Sequence, residues 1–419
     1  MCRQDESIAA AVHLAVKSTL LLRSITHMKL SRNDPCLCGS GKKYKHCCER
    51  KAAARPIFPA AESSQLQLLF NTKKYDAVEA KANTLLEHYP EEPVVWKLLA
   101  MALQMQDKQA LSAFQKTAQL LPNDAGAQAN LGNALQLAGQ WDAAAVSFRN
   151  ALKISPNFAH AHNGLGTVLV EQGHLVEAVA SYRRALQFDP NLKAVYSNLG
   201  HVLLGLGQYA EGWQAYEYRL EDPELAHIRN ASKLQRWRGQ TPSVQDRLLV
   251  FAEQGFGDTL QFVRFLPLIL DKFPGGVSLV VNEPLAELFH STFPSVEILN
   301  LIPSDQRAWQ WQCPLLSLPL VFKTTLETIP SNIPYLRPNS SSIAYWQNKI
   351  AALNLPANTL KIGVVWQPGT LMKNAKQRSL SIKQISSLLN QPNCKWFSLQ
   401  KEPDPNASAW IASGKLINW

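Results

Sequence analysis

Ten residues have types and spacing that carry chemistry. Cys36, Cys38, Cys47 and Cys48 place four of the chain's seven cysteines within thirteen positions. Four thiolates complete the tetrahedron that a structural Zn²⁺ prefers. Gly39-Ser40-Gly41 permits a tight turn between the two pairs, and Lys42, Lys43, Lys45 and Arg50 offset the charge of a tetrathiolate centre. Adjacent Cys47 and Cys48 cannot readily bridge each other, and so few cysteines make no disulfide scaffold. His46 stands as the alternative fourth ligand. A second group is Gly255, Gly257 and Asp258, in the run Glu253-Gln-Gly-Phe-Gly-Asp258 between a predicted strand and a predicted helix. Glycines there let backbone N–H groups crowd toward a ligand, and a helix N-terminus favours negative charge. The run lacks the third glycine of a dinucleotide fingerprint. Asp258 also reads as a helix N-cap, with Gln261 three residues on completing a capping box. The third group is Lys373 and Arg378, with Lys401 as a weaker candidate. Cations after a strand suit the charge that develops on a departing diphosphate, and they suit a solvated loop equally well.

The elements that must position these residues divide the chain. Length alone implies two to four domains. Hydrophobic residues make up 46% and charged residues 18%, which excludes wholesale disorder. The net charge of +10 is uneven: +7 over residues 1–60, +7 over 338–419 and −4 between them. A uniform nucleic-acid coat is therefore excluded, and no specific nucleic-acid partner is expected. No run reaches the ~18–20 apolar residues of a membrane span. Ser7 to Leu22 is broken by His13 and Lys17, and Asp5 and Glu6 before it do not suit a signal peptide. A cytoplasmic protein is expected. Residues 1–27 read as an unstructured leader or a mis-annotated start, Met28 opens the zinc module (28–55), and Glu49 to Ala60 reads as a linker.

Residues 61–220 repeat. Pro90, Pro122, Pro156 and Pro190 are 32, 34 and 34 apart, and Leu131-Gly132, Leu165-Gly166 and Leu199-Gly200 recur at 34. Gly139, Gly173 and Gly207 follow, then Ala144, Ala178 and Gly212, then Phe148, Tyr182 and Tyr216. Small residues let the two helices of a hairpin approach, and the aromatics fill the gap to the next hairpin. This is the tetratricopeptide pattern, an all-α solenoid expected to hold a protein or peptide on its concave face. Three repeats from Ala125 to about Leu220 are strong and two upstream, Tyr75 to Pro90 and Trp96 to Pro122, are degenerate. The segment Gly212 to Arg219 departs from the pattern and is expected to cap the array. Beyond residue 243, strands at 247–253, 277–281, 296–299, 361–366 and 396–399 alternate with helices at 259–270, 284–290 and 381–389. That alternation predicts α/β structure with parallel sheets over 243–337 and 338–419.

Two stretches resemble known families. Arg32-Asn-Asp-Pro-Cys-Leu-Cys-Gly-Ser-Gly-Lys-Lys-Tyr-Lys-His-Cys-Cys48 is similar to the SEC-C motif, the zinc module at the tail of the export motor SecA. It implies structural zinc on Cys36, Cys38, Cys47 and Cys48, and a basic surface that docks on a protein or ribosome partner. Leu249-Val-Phe-Ala-Glu-Gln-Gly-Phe-Gly-Asp-Thr-Leu-Gln-Phe-Val-Arg264 resembles the heptosyltransferase-like region that follows tetratricopeptide arrays in many bacterial proteins. Cys313 to Pro319, Ile329 to Leu336, Ile362 to Trp366 and Phe397 to Glu402 extend that resemblance. It implies a GT-B fold of two Rossmann-like halves, inverting and metal-independent, that moves a sugar from a nucleotide-sugar donor to a protein or saccharide hydroxyl. Asp258 would be the general base, and Gly255, Gly257, Lys373, Arg378 and Lys401 would bind substrate or donor. The 58 residues from Ile362 to Trp419 are expected to be an incomplete donor half, since such a domain needs roughly 150. The alternative expectation is a non-catalytic adaptor with a vestigial transferase region.

Overall fold

The computed structural model describes residues 42–43, 57–226, 230, 232–368, 378–401 and 404–419. The chain forms two compact units, residues 1–335 and 336–419.

Among the described residues, the first unit has five helical hairpins: α1 (Ala60–Asn71) and α2 (Tyr75–His88), α3 (Pro93–Met105) and α4 (Leu111–Leu120), α5 (Ala125–Leu137) and α6 (Trp141–Ile154), α7 (Ala159–Glu171) and α8 (Leu175–Phe188), α9 (Lys193–Gly205) and α10 (Tyr209–Tyr216). Within three hairpins the chain reverses through a left-handed glycine, Gly139, Gly173 and Gly207, with φ of 72°, 78° and 75°. The residue after each glycine donates its N–H back into the helix just ended, as Gln140 does to the Leu135 carbonyl at 2.9 Å. This closes the last turn of the first helix. Lys73 (φ 58°) and Asp107 (φ 54°) take the left-handed place in the two upstream hairpins, which is why the sequence signal is faint there.

The small residues do what their spacing predicts. A Cβ on Gly166 would lie 2.7 Å from the Tyr182 ring, and one on Gly164 2.3 Å from the Phe148 ring. Phe148 also abuts Gly132, so it fills the space between its own hairpin and the next. Ala144, Ala178, Phe148 and Tyr182 are buried in one continuous core from Ala129 to Ala215. First helices pack on one another, α1 on α3, α5 on α7 and α7 on α9, and second helices do not approach as closely. The first helices therefore line the inside of the curve.

After the array come β1 (Gln235–Arg236), β2 (Leu248–Phe251), α11 (Phe256–Phe262), α12 (Leu266–Leu270), β3 (Val277–Val280), α13 (Glu283–Thr292), β4 (Glu297–Leu299), β5 (Trp311–Pro314) and α14 (Leu318–Val321). The five strands form one parallel sheet in the order β1-β5-β2-β3-β4. Every residue of β2 and β3 is buried, as expected where helices cover both faces. The order reverses direction between β2 and β5. One expectation is corrected here. The helix expected over 259–270 starts at Phe256 and breaks into α11, a 3₁₀ turn (Val263–Phe265) and α12, because Pro267 has no N–H for an i−4 bond. The segment from Gly212 to Arg219 lies at the end of the last hairpin. It continues from α10 into a 3₁₀ turn, Glu217–Glu221, whose Arg219 and Leu220 are buried.

The second unit contains α15 (Ser340–Ala351), β6 (Leu360–Val364), α16 (Ile382–Leu389), β7 (Cys394–Ser398), α17 (Ser408–Ala412) and β8 (Leu416–Asn418). Its strands form a parallel sheet in the order β6-β7-β8. Ser381 and Gln384 make a capping box at the start of α16. Ile382, Ile385 and Leu389 of that helix cover Trp396 and Leu416. On the other face Trp419 stacks on Phe397 at 5.9 Å and meets Trp346 of α15 edge-on.

Candidate functional site

The point where a parallel sheet reverses its strand order leaves a crevice at the strand carboxyl ends, the usual place for a ligand in such sheets. Here the crevice lies beyond Phe251 of β2 and Pro314 of β5, and both following segments contribute polar groups. Glu253 follows β2 and Ser317 follows β5, both buried. Arg219, from the 3₁₀ turn that ends the array, fills the crevice with its side chain 3% exposed. Its guanidinium donates to Glu253 Oε1 at 2.5 Å and to Ser317 Oγ at 2.8 Å. Ser317 in turn donates to Glu217 Oε1 at 2.8 Å, and Arg236 of β1 pairs with Glu217 and donates to Ser317 Oγ at 2.9 Å. Two arginines and two glutamates thus neutralise one another around one hydroxyl. Burial pushes the Glu253 carboxyl up against the opposing pull of Arg219. Burial works against the Arg219 charge, but Glu253 and Glu217 outweigh it and raise its pKa. Removing one partner from such a group leaves an uncompensated buried charge.

The turn that follows Glu253 carries the glycines and Asp258. Gly255 is the N-cap of α11, extended at φ −67° and ψ 171°, without a side-chain cap. Asp258 is therefore the third residue of the helix and not its cap, which corrects the capping-box expectation with Gln261. The extended Gly255 lets the helix begin three residues earlier than the Asp258 pattern implies. Asp258 Oδ2 instead lies 3.5 Å from where a Gly255 Cβ would be. A carboxylate in the first turn is favoured there by the helix dipole. Gly255 and Gly257 are exposed and Asp258 is half-buried.

The array reaches this turn directly. The guanidinium of Arg219 lies 4.6 Å from the centroid of the Tyr216 ring, and Gln254 donates to the Tyr216 hydroxyl at 3.1 Å. His201 of α9 meets the same ring edge-on at 4.9 Å. Burial raises the Tyr216 hydroxyl to about 12. Burial lowers the His201 pKa, and its hydrogen bond with the Ser197 carbonyl pulls the other way. The inner helices leading to this corner are nearly free of charge: α5 has no Asp, Glu, Lys or Arg, α7 only Glu171 and α9 only Lys193.

Of the sequence-predicted site residues, Gly255, Gly257 and Asp258 share this turn. Arg378 and Lys401 belong to the second unit, where Lys401 is exposed. There the ends of β6 and β7 are joined by Gln400, which donates to the Gln367 carbonyl at 2.7 Å, and by Asp404, which accepts from the Trp366 indole at 2.8 Å. Lys373 and the four cysteines, Cys36, Cys38, Cys47 and Cys48, lie outside the described residues. Sequence reasoning missed Arg219, Glu217, Arg236, Ser317 and His201. Only Glu253, a carboxylate ending an apolar run, carried a signal.

Comparison with known proteins bears on two segments. A family model of the SEC-C motif matches residues 32–50, and a model of the TPR repeat matches residues 137–173 and 166–207. Protein FlbA of Caulobacter vibrioides is 28% identical over 209 residues, covering 45% of this chain and 34% of that protein. Protein translocase subunit SecA of a Nitratiruptor species is 57% identical over 37 residues, covering 9% of this chain and 4% of SecA. The chain thus spans about a third or less of these relatives. A thermophilic tetratricopeptide protein of Thermus thermophilus has a solved structure that aligns with 41% of this chain and 96% of its own, at 22% identity and a TM-score of 0.34. The chain carries a SEC-C motif and a tetratricopeptide array, followed by small parallel sheets. No helix among the described residues is long and apolar enough to cross a membrane.

Proposed function

We propose that the array holds a polypeptide and that the α/β region transfers a sugar to one of its hydroxyls from a nucleotide-sugar donor, in the manner of a GT-B glycosyltransferase. One observation carries this reading: the last repeat is joined to the turn that carries Asp258 through the contact of His201 with buried Tyr216 and the hydrogen bond from Gln254 to the Tyr216 hydroxyl. A chain lying along the nearly uncharged inner helices would end its path at Asp258. Asp258 is the candidate base, and Gly255 and Gly257 keep the turn open to a substrate. Lys373, Arg378 and Lys401 are the candidate cations for the departing diphosphate, in the second Rossmann-like half. Four thiols at Cys36, Cys38, Cys47 and Cys48 fit structural zinc, which would fold the SEC-C segment as a docking module for a protein or ribosomal partner. A cytoplasmic site of action accords with both halves of this reading.

The adaptor reading is favoured by a different observation. Arg219 occupies the crevice where such sheets take ligands, so the α/β region would serve as a rigid end for a protein-binding array. Calorimetry of the full chain against a panel of nucleoside diphosphates, then turnover on nucleotide sugars with polypeptide acceptors, separates the two. Transfer lost in Asp258→Asn with polypeptide binding retained supports the transferase. Polypeptide binding with no nucleotide affinity supports the adaptor.

A further inference from the structure

The inner helices carry amides that the fold does not use. Asn130 and Asn133 on α5, Asn163 on α7 and Asn198 on α9 are half-buried. Among the described residues none of these four side chains has a hydrogen-bond partner, and Asn163 Oδ1 is buried without one. Thr167, on the same helix as Asn163, is satisfied: it accepts from the Tyr182 hydroxyl at 3.2 Å and donates to the Asn163 carbonyl at 3.2 Å. Asn130 and Asn198 hold the same place in the third and fifth hairpins, two 34-residue periods apart. Gly164 holds that place between them, where an added Cβ would strike the Phe148 ring. Half-buried polar groups without a protein partner call for one from elsewhere. Charge is equally scarce on these helices. Glu171 is the last residue of α7 and Lys193 the first of α9, and α5 has no charged residue. Lys193 Nζ lies over the Tyr218 ring, 5.2 Å from its centroid. Burial lowers the His160 pKa below 6.5, so that ring adds no charge at neutral pH.

We propose that the inner surface of the third to fifth hairpins takes an extended, uncharged stretch from within another polypeptide and discriminates against charged side chains in that stretch. The proposal rests on the reading that the array holds a polypeptide, which the transferase and the adaptor share, and it names the class of polypeptide held. A side-chain amide offers a donor and an acceptor together. It matches a peptide unit, or a Ser, Thr, Asn or Gln side chain, and favours neither sign of charge. A Lys, Arg, Asp or Glu laid against these helices loses water and meets no counter-charge between Ala125 and Val170 on α5 and α7. An unpaired charge removed from water is strongly disfavoured. A chain terminus is disfavoured on the same ground, since its carboxylate or ammonium would go unpaired. Packed helices lie ~10 Å apart, so α5 to α9 spans ~20 Å, which an extended chain covers in about six residues.

The test selects random peptides displayed on phage against the full chain. Recovered peptides are expected to be depleted in Asp, Glu, Lys and Arg relative to the starting library. The consensus peptide, synthesised with both ends blocked, is expected to change its Kd by less than about twofold between low and high salt, because screening acts on charges. One Glu or one Lys placed in its middle is expected to weaken binding about tenfold or more. Asn133→Asp is expected to redirect selection toward peptides with Lys or Arg, and Asn133→Lys toward peptides with Asp or Glu. Asn198→Asp repeats the test at a second position, and circular dichroism melts confirm that each variant is folded. Wild-type selection of peptides rich in one sign of charge, or a Kd that rises steeply with salt, overturns the proposal. So does selection of the same peptides by the wild type and by both folded Asp variants. In those cases the array still holds a polypeptide and only the rule of selection fails. If the wild type recovers no peptide at all, the holding function fails and takes the rule with it.

Discussion

Among the described glycines of the array, Gly200 comes closest to neighbouring backbone, and replacing it with alanine gives a prediction with a calculable size. An added Cβ would lie 2.4 Å from the Tyr216 amide nitrogen, 2.7 Å from its Cα and 2.9 Å from the Ala215 carbonyl carbon. Ordinary contact begins near 3.5 Å, so α9 and α10 must separate by about 1 Å. The obstacle is main chain, so no side-chain rotation relieves it. Overpacking of this kind costs about 1–3 kcal/mol, and the better helix propensity of alanine returns about 1. Gly205, at the end of the same helix, has nothing within 4 Å of its added Cβ. Gly205→Ala gains the propensity term alone, so the two variants are expected to differ by the overpacking term, about 1–3 kcal/mol, in the stability of the last hairpin. Amide hydrogen exchange in α9 and α10 of the full chain measures this locally, with α1 and α2 as internal controls, since solenoid repeats couple mainly to neighbours. Equal protection in the two variants would refute the close-approach argument.

Asp107→Gly removes a strained left-handed residue and is expected to stabilise the second hairpin by about 1 kcal/mol in urea unfolding, whereas Gly139→Ala destabilises the third by a similar amount. His160 has its pKa lowered from 6.5 by burial, with Asp189 opposing. The unfolded chain therefore binds its proton first, so array stability should fall as pH drops below 6.5 toward the folded value, and His160→Gln should flatten that dependence in melts across pH 5–7. Glu253→Gln leaves Arg219 without its closest counter-charge and is expected to cost about 3–5 kcal/mol by denaturant titration. Elemental analysis is expected to find one zinc per chain, lost in Cys36→Ser, with the helical circular dichroism of the array unchanged by chelation.

The array was legible because its signal repeats. Gly132, Gly166 and Gly200 each mark a close approach to the second helix of their own hairpin, the first two against an aromatic ring and the third against backbone, and three copies make coincidence untenable. The first two hairpins were fainter because Lys73 and Asp107 hold a turn that glycine marks elsewhere. β5 was not predicted as a strand because Trp-Gln-Cys-Pro is short and ends in proline, so nothing in its pattern separates it from a loop. The role of Asp258 as a cap was misread because a carboxylate three residues before a glutamine satisfies the capping-box spacing, whereas the extended Gly255 moved the helix start. The crevice was illegible for another reason. Arg219, Glu253 and Ser317 are 34 and 64 residues apart in sequence, and only the parallel order that sets β5 beside β2 brings them together.

The seating of Arg219 fixes one end of the array and leaves the other end adjustable. Each hairpin contacts chiefly its neighbours, so a 34-residue unit inserted or deleted between α2 and α9 would preserve every contact of the last repeat with the sheet. The reach of the inner surface, measured outward from Asp258, would change in steps of one hairpin. Length variation among proteins built on this plan would then alter how far the inner surface extends from the sheet, with the junction at Arg219 untouched.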